Sequence, residues 1–271
     1  MPDLLEPFQF AFMQRALVGS ILVAVVCASV GVLVVLRGLA FLGDAVAHAA
    51  FPGIVIAFLL KANLVLGGMA AGVFSAVSMG FLSRRGALRE DTAIGVVFSG
   101  MFALGIVLFS GIRQYTGDLL SVLLGNVLAI SPEALALGGA VSVVIVAVLW
   151  LWWRELVFVS FDPVGAQASG LDASRYDIAL LTLIGLTVAV AVQLVGVVLV
   201  VAMLVTPAAT ARVLARDMRN FVSLAIVFAT VAAVAGIWLS YFANAASGGT
   251  IVLVATAEFI VVWVATRLRR A

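Results

Sequence analysis

The sequence predicts an all-α polytopic membrane protein, and three observations predict it. Of 271 residues, 65% are hydrophobic and only 10% charged, where a soluble domain carries about 25% charged. The apolar residues fall into long runs separated by short polar breaks. The basic residues gather at alternate breaks. A water-soluble core of this size cannot absorb so much apolar surface, which excludes a soluble enzyme, a nucleic-acid binder and a disordered chain.

A bilayer core about 30 Å thick needs roughly 20 apolar residues per helix. The N-terminal Met1-Pro2-Asp3-Leu4-Leu5-Glu6 carries two acids and no basic region. It does not read as a cleaved signal peptide, so the first run is expected to stay as a span. The expected spans are Ala16–Leu36, Gly38–Leu60, Leu64–Leu82, Thr92–Ser110, Ala134–Trp153, Ile178–Val192, Leu194–Ala211, Phe221–Phe242 and Thr250–Thr266. Leu119–Ile130 is short and has polar flanks, which suits a re-entrant or interfacial helix. The whole chain, 1–271, reads as one transmembrane domain with a cytoplasmic loop at 154–177. Cys27 is the single cysteine, so no intrachain disulfide forms.

Ile178–Ala211 is free of charge and reads as one long span, giving eight in all, or as two around Gln193 and Gly196. The excess of basic residues in cytoplasmic loops decides. With two spans and the N-terminus outside, Arg37, Arg84, Arg85, Arg89, Arg154, Arg175, Arg212, Arg216, Arg219, Arg267, Arg269 and Arg270 are inside, 12 of 15 basic residues. Arg15, Lys61 and Arg113 are outside. With one long span the division is 6 against 9 and the asymmetry disappears. Nine spans with a cytoplasmic C-terminus follow.

Ionisable groups inside a bilayer are costly and mark function by default. Asp44, His48 and Glu258 fall inside spans, with Gln193, Asn126 and Asn244 near span ends. His48 is the only histidine and follows Asp44 by four residues, so both project from one helical face. At 1.5 Å per residue, Asp44 stands about 10 Å and His48 about 16 Å from Arg37, near the midplane. Pro52 cannot donate to the carbonyl of His48 and is expected to leave it free. A carboxylate, an imidazole and a loose carbonyl suit a first-row divalent ion. The same pair also reads as a structural hydrogen bond or a proton relay.

Other features carry less. Glu258 completes a site, neutralises an arginine or packs its helix. Pro207 is expected to end the seventh span near the inner face, free the carbonyl of Met203 and kink the helix. Gly67, Gly68 and Gly72, and Gly95, Gly100 and Gly105, place small residues where helices pack closely. In the 154–177 loop, Asp162 and Pro163 form a helix start and Gly170 a stop. One or two turns of helix result, either an interfacial loop or a docking element. There is no phosphate-binding G-x-x-x-x-G-K-[ST], and the one lysine, Lys61, lacks preceding glycines. The chain therefore cannot hydrolyse ATP through such a loop. It has no metalloprotease or hydrolase motif, and no inverted repeat between its halves is evident.

The run Arg37-Gly38-Leu39-Ala40-Phe41-Leu42-Gly43-Asp44-Ala45-Val46-Ala47-His48-Ala49-Ala50-Phe51-Pro52-Gly53 resembles the signature of permease subunits of ABC-type importers for manganese, zinc and iron. The similarity continues in Glu90-Asp91-Thr92-Ala93-Ile94-Gly95 and Leu124-Gly125-Asn126-Val127-Leu128. It is seen again from Asp162-Pro163 to Gly170-Leu171, from Val195 to Ala211 through Thr206-Pro207, and in Ser247-Gly248-Gly249-Thr250. It covers almost the whole chain in order. The resemblance implies a fold related to the permeases of iron-chelate and cobalamin importers. It implies a pair of permease subunits, identical or not, in the bacterial plasma membrane. Two cytoplasmic ATP-binding subunits and an extracytoplasmic metal-binding protein are the implied partners. No nucleic acid and no bound cofactor are implied; the divalent ion is the substrate.

Carried onto this chain, the resemblance assigns metal coordination to Asp44 and His48. It assigns coupling to the ATPase to the segment Asp162, Pro163, Gln167, Gly170 and Leu171. Glu258 matches no family position. The expected mechanism is alternating access, with the binding protein docked on outer loops including Gly111–Glu133 and with hinges at Pro52, Gly53 and Pro207. The rival readings are an importer permease for an iron chelate or cobalamin, and a proton-coupled secondary metal carrier.

Overall fold

A computed structural model describes residues 9–84, 89–112 and 127–269, and among them there is no strand. The helices are α1 (Ala11–Leu36), α2 (Ala40–Ala49), α3 (Phe51–Leu59), α4 (Leu64–Arg84), α5 (Glu90–Ser110), α6 (Pro132–Leu151), α7 (Trp153–Phe161), α8 (Pro163–Ala168), α9 (Ala173–Val195), α10 (Val197–Leu214), α11 (Met218–Ala243) and α12 (Ser247–Leu268). With α2 and α3 taken as one broken span, the described residues contain nine segments long and apolar enough to cross a membrane.

The break that separates α9 from α10 is Gly196, at φ +86° and ψ 164°. That backbone conformation is closed to residues with a Cβ. The charge-free stretch is therefore two helices, as the arginine distribution requires. Helix starts follow local chemistry. Ser131 accepts the Ala134 N–H at 3.1 Å, and Pro132 occupies the first helical position of α6. Asp172 caps α9 in the same way, accepting the Arg175 N–H at 3.3 Å.

Three expectations change. Residues 154–177 are mostly helix, because α7 continues after a break at Trp152 and α9 begins at Ala173. Pro207 does not end its span: α10 runs through it to Leu214. Gly95 and Gly100 face open space, and only Gly105 in that series packs, against Phe51 and Pro52. Of the expected re-entrant helix, residues 119–126 lie outside the described residues, and Val127–Ala129 is a single 3-10 turn. Arg113, Asn126 and most of the outer loop 111–133 also lie outside them, as do residues 1–8, Arg85 and Arg270.

The core is built from α1, α2, α3 and α9, which are the most buried spans, while α5, α6 and α12 are largely exposed. In lipid, association relies on close packing rather than on hydrophobic burial, so small residues mark the crossings. Gly53 of α3 lies directly against the carbonyl of Gly67 on α4, and Gly67 against the carbonyl of Gly53. A Cβ on Gly72 would stand 3.2 Å from the carbonyl of Gly185 on α9. The Gln193 amide donates to the carbonyl of Leu64 at 2.6 Å and joins the opposite ends of α9 and α4. Replacing Gly67 with Val drives a side chain into the α3 backbone. An overpacking cost of about 1–3 kcal/mol is expected, seen as a lowered thermal midpoint in detergent; an unchanged midpoint contradicts this crossing.

The arginine-bearing ends come together. Arg37, Ser83, Glu90 and Asp177 line one small cavity. Trp153 and Arg219 line another with Ser29. Loops assigned to one side by charge thus share one face of the bundle.

Candidate metal pathway and coupling segment

Asp44 and His48 lie on α2, four residues apart in a ten-residue half-helix. Both point from the same face. Asp44 Oδ1 stands 3.7 Å from His48 Nε2, and the side chains are 37% and 30% exposed respectively. That separation is too long for a direct hydrogen bond. The pair is therefore not locked on itself, which disfavours the purely structural reading.

The imidazole is oriented by packing. It makes edge contacts with Phe98 at 5.9 Å and Phe102 at 5.4 Å, both on α5. Those two rings stack on each other 5.9 Å apart. Phe51 extends the aromatic row to Phe102 and Phe109. His48 Nδ1 is buried with no hydrogen-bond partner among the described residues. A resident metal site normally fixes the second nitrogen through a carboxylate or carbonyl. Here the ring is positioned by aromatic faces instead.

Sequence reasoning missed Phe98 and Phe102. Their signal was the four-residue spacing on a helix with little other reason to be aromatic. Replacing both with Leu leaves the ligands present but frees the ring. We expect about tenfold weaker apparent metal affinity, within the range for lost outer-shell support; competition uptake assays measure it, and wild-type affinity contradicts the positioning role.

Helix α2 stops at Ala49, and α3 restarts at Phe51 with Pro52 in its first turn. At this end the Ala50 N–H donates to the Val46 carbonyl at 2.9 Å. Pro52, in the first turn of α3, brings no N–H to the His48 carbonyl, as expected. The Ser75 hydroxyl, on α4, reaches the neighbouring Ala49 carbonyl at 3.5 Å. Gly53 serves the close approach to α4 described above.

Among the described residues, no group of three or more His, Cys, Asp or Glu side chains converges. Glu258 is on α12, which packs on α10 and α11 rather than on α2 or α5. It is not brought to the Asp44–His48 pair. One chain thus presents two candidate side-chain ligands, both partly exposed.

The short helix α8 is defined at both ends. Asp162 Oδ1 accepts the Gly165 N–H at 2.8 Å, with Pro163 at the first position. At the other end Gly170 has φ +85°. Its N–H bonds the Gln167 carbonyl, and the Leu171 N–H bonds the Ala166 carbonyl, each at 3.0 Å. This paired closure ends a helix through a left-handed residue. Leu171 packs on Val159, Ala166 and Ala173, which anchors α8 between α7 and α9. Gln167 and Pro163 face outward, as does Val164, which is 75% exposed.

Residues 9–266 match the ABC 3 transport family. The chain is 41% identical over 250 residues to the manganese transport system membrane protein MntC of Halalkalibacterium halodurans, covering 92% of this chain and 86% of that protein. It is 37% identical to a probable iron transport system membrane protein of Haemophilus influenzae, covering 98% of each. The structure of PsaBC from Streptococcus pneumoniae in complex with Fab matches with a TM-score of 0.86 and 34% identity, covering 96% of this chain and 94% of that one. A metal-chelate type ABC transporter in an inward-facing conformation shares the fold, with a TM-score of 0.74 at 15% identity. On this evidence the chain belongs to the ABC 3 transport family.

Proposed function

We propose that this chain is the permease subunit of an ATP-driven importer for a divalent transition-metal ion, manganese or iron. The observation that carries the reading is the open Asp44–His48 pair within a membrane span. Donor atoms 3.7 Å apart are close enough for a small adjustment to place both on one divalent ion, and carboxylate and imidazole are ligands such ions accept. The relatives named above support manganese and iron; zinc, expected from the resemblance, is not named among them.

Two copies of the permease, or this chain and a close relative, enclose the pathway. Each contributes one carboxylate and one imidazole, so up to four side chains surround the ion. Two carboxylates offset the divalent charge and reduce the cost of dehydration in a low-dielectric site. Among the described residues no hydrogen-bond partner orients Nδ1, which fits modest affinity and passage rather than storage. The arginine-rich face is cytoplasmic, with the N-terminus outside. There α8 docks on the ATP-binding subunit, and an extracytoplasmic binding protein delivers the ion to the opposite face. Hinges at Pro52, Gly53 and Pro207 let the pathway alternate.

The test is uptake of manganese into vesicles holding the permease, its ATP-binding subunits and its binding protein. The reading expects uptake that requires ATP and survives a proton uncoupler. Uptake that persists without the ATPase and collapses with the uncoupler selects the secondary-carrier reading instead.

A further inference from the structure

Arg37 sits between α1 and α2, seven residues before Asp44, with its side chain only 15% exposed. Its Nε donates to Ser160 Oγ on α7 at 2.9 Å. A terminal nitrogen pairs with Asp177 on α9 at 2.5 Å. Glu90, the first residue of α5, acts on the same guanidinium electrostatically and lines the same cavity of about 110 Å³. Burial lowers the pKa of this guanidinium, and Glu90 opposes that shift.

These partners have a common position. Ser160 lies three residues before α8 and Asp177 six after Leu171, so they frame the segment that docks on the ATPase. On the other side, Arg37 leads directly into α2. Gly38 turns the chain at φ +71°, and the Leu39 N–H bonds the Val34 carbonyl at 2.9 Å. α2 then carries Asp44 and His48. Glu90 starts the helix whose Phe98 and Phe102 hold the imidazole. One guanidinium therefore bridges the frame of the coupling helix and both frames of the metal site. Coupling between separated sites travels through such contiguous networks when their members have alternative arrangements. A buried ion pair by itself is weak evidence for stability, and apolar substitutes often serve as well. Its position explains more than its energy does.

We propose that Arg37 is the positioning residue that transmits movement of α8 to the Asp44–His48 site, through its pair with Asp177 and its bond to Ser160. This rests on the importer reading above. The experiment compares Arg37→Gln, Asp177→Asn and Ser160→Ala in the reconstituted complex, with Mn²⁺ as the probe. It reads basal ATP hydrolysis, hydrolysis stimulated by the binding protein, and metal taken up per ATP.

Uptake per ATP is expected to fall about tenfold in Arg37→Gln and in Asp177→Asn, and about twofold in Ser160→Ala, a coupling within the usual range. Basal hydrolysis is expected to stay near wild type, and the Arg37→Gln/Asp177→Asn double variant to lose no more than either single one. An unchanged ratio in any variant that assembles overturns the proposal, as do additive losses or a parallel loss of basal hydrolysis. Ser160→Ala removes no charge and, besides the bond from Arg37, only a local bond to the Leu156 carbonyl at 2.6 Å, so it keeps the test decisive if a charge variant fails to fold. Absence of ATP-driven uptake by the wild-type complex defeats the importer reading; normal wild-type uptake with unaltered variant ratios defeats only the transmission role.

Discussion

Replacing Asp44 or His48 with Ala is expected to reduce metal uptake by ~100-fold or more, while membrane insertion and assembly with the ATPase persist. Loss of outer-shell support alone costs about 10–100-fold in metal affinity, so loss of a ligand exceeds it. Structural damage is expected to be small. Asp44 and His48 are partly exposed and make no hydrogen bond to each other, so neither substitution strands a buried partner. The two variants should also differ. Asp44→Ala removes the charge that offsets the ion, and its defect should persist at high metal. His48→Ala keeps the carboxylates, and raised metal should recover part of its uptake. Wild-type rates in either assembled variant contradict the coordination of the ion by this pair.

Gly170→Val is expected to separate ATP hydrolysis from uptake. Gly170 holds φ +85°, where a Cβ costs about 1–2 kcal/mol. Two backbone bonds close α8 around it, from Gly170 to Gln167 and from Leu171 to Ala166. Straining that turn reorients Val164 and Gln167 without touching the membrane core, since Gly170 meets nothing nearby. Asp162→Ala acts at the other end and removes a cap worth about 1 kcal/mol. Both variants should insert and bind metal normally while metal carried per ATP hydrolysed falls severalfold. Unchanged stoichiometry in both favours an interfacial loop over a docking helix.

Much of this was legible in the residues. Hydropathy located the spans because a bilayer demands long apolar helices, and arginine placement separated α9 from α10 where periodicity could not. Asp162, Pro163 and Gly170 each act through strictly local chemistry, so their roles as start and stop could be read directly. The Asp44–His48 face followed from helical geometry. What escaped is tertiary. Whether a glycine packs depends on what lies opposite, so Gly67 and Gly95 look alike in sequence and differ in the fold. The aromatic cradle and the Arg37 network join residues far apart along the chain, and no spacing rule reaches them.

The lone histidine makes the central claim unusually open to measurement. The permease is produced with ¹⁵N-labelled histidine and a histidine-free purification tag, assembled with its partners, and loaded with Mn²⁺. Pulsed electron–nuclear double resonance then reads the nitrogen bound to the metal. His48 is the only histidine in the chain, so a directly coordinated ¹⁵N coupling that disappears in His48→Ala is the predicted result. Permease-bound Mn²⁺ with no ¹⁵N coupling would contradict the account.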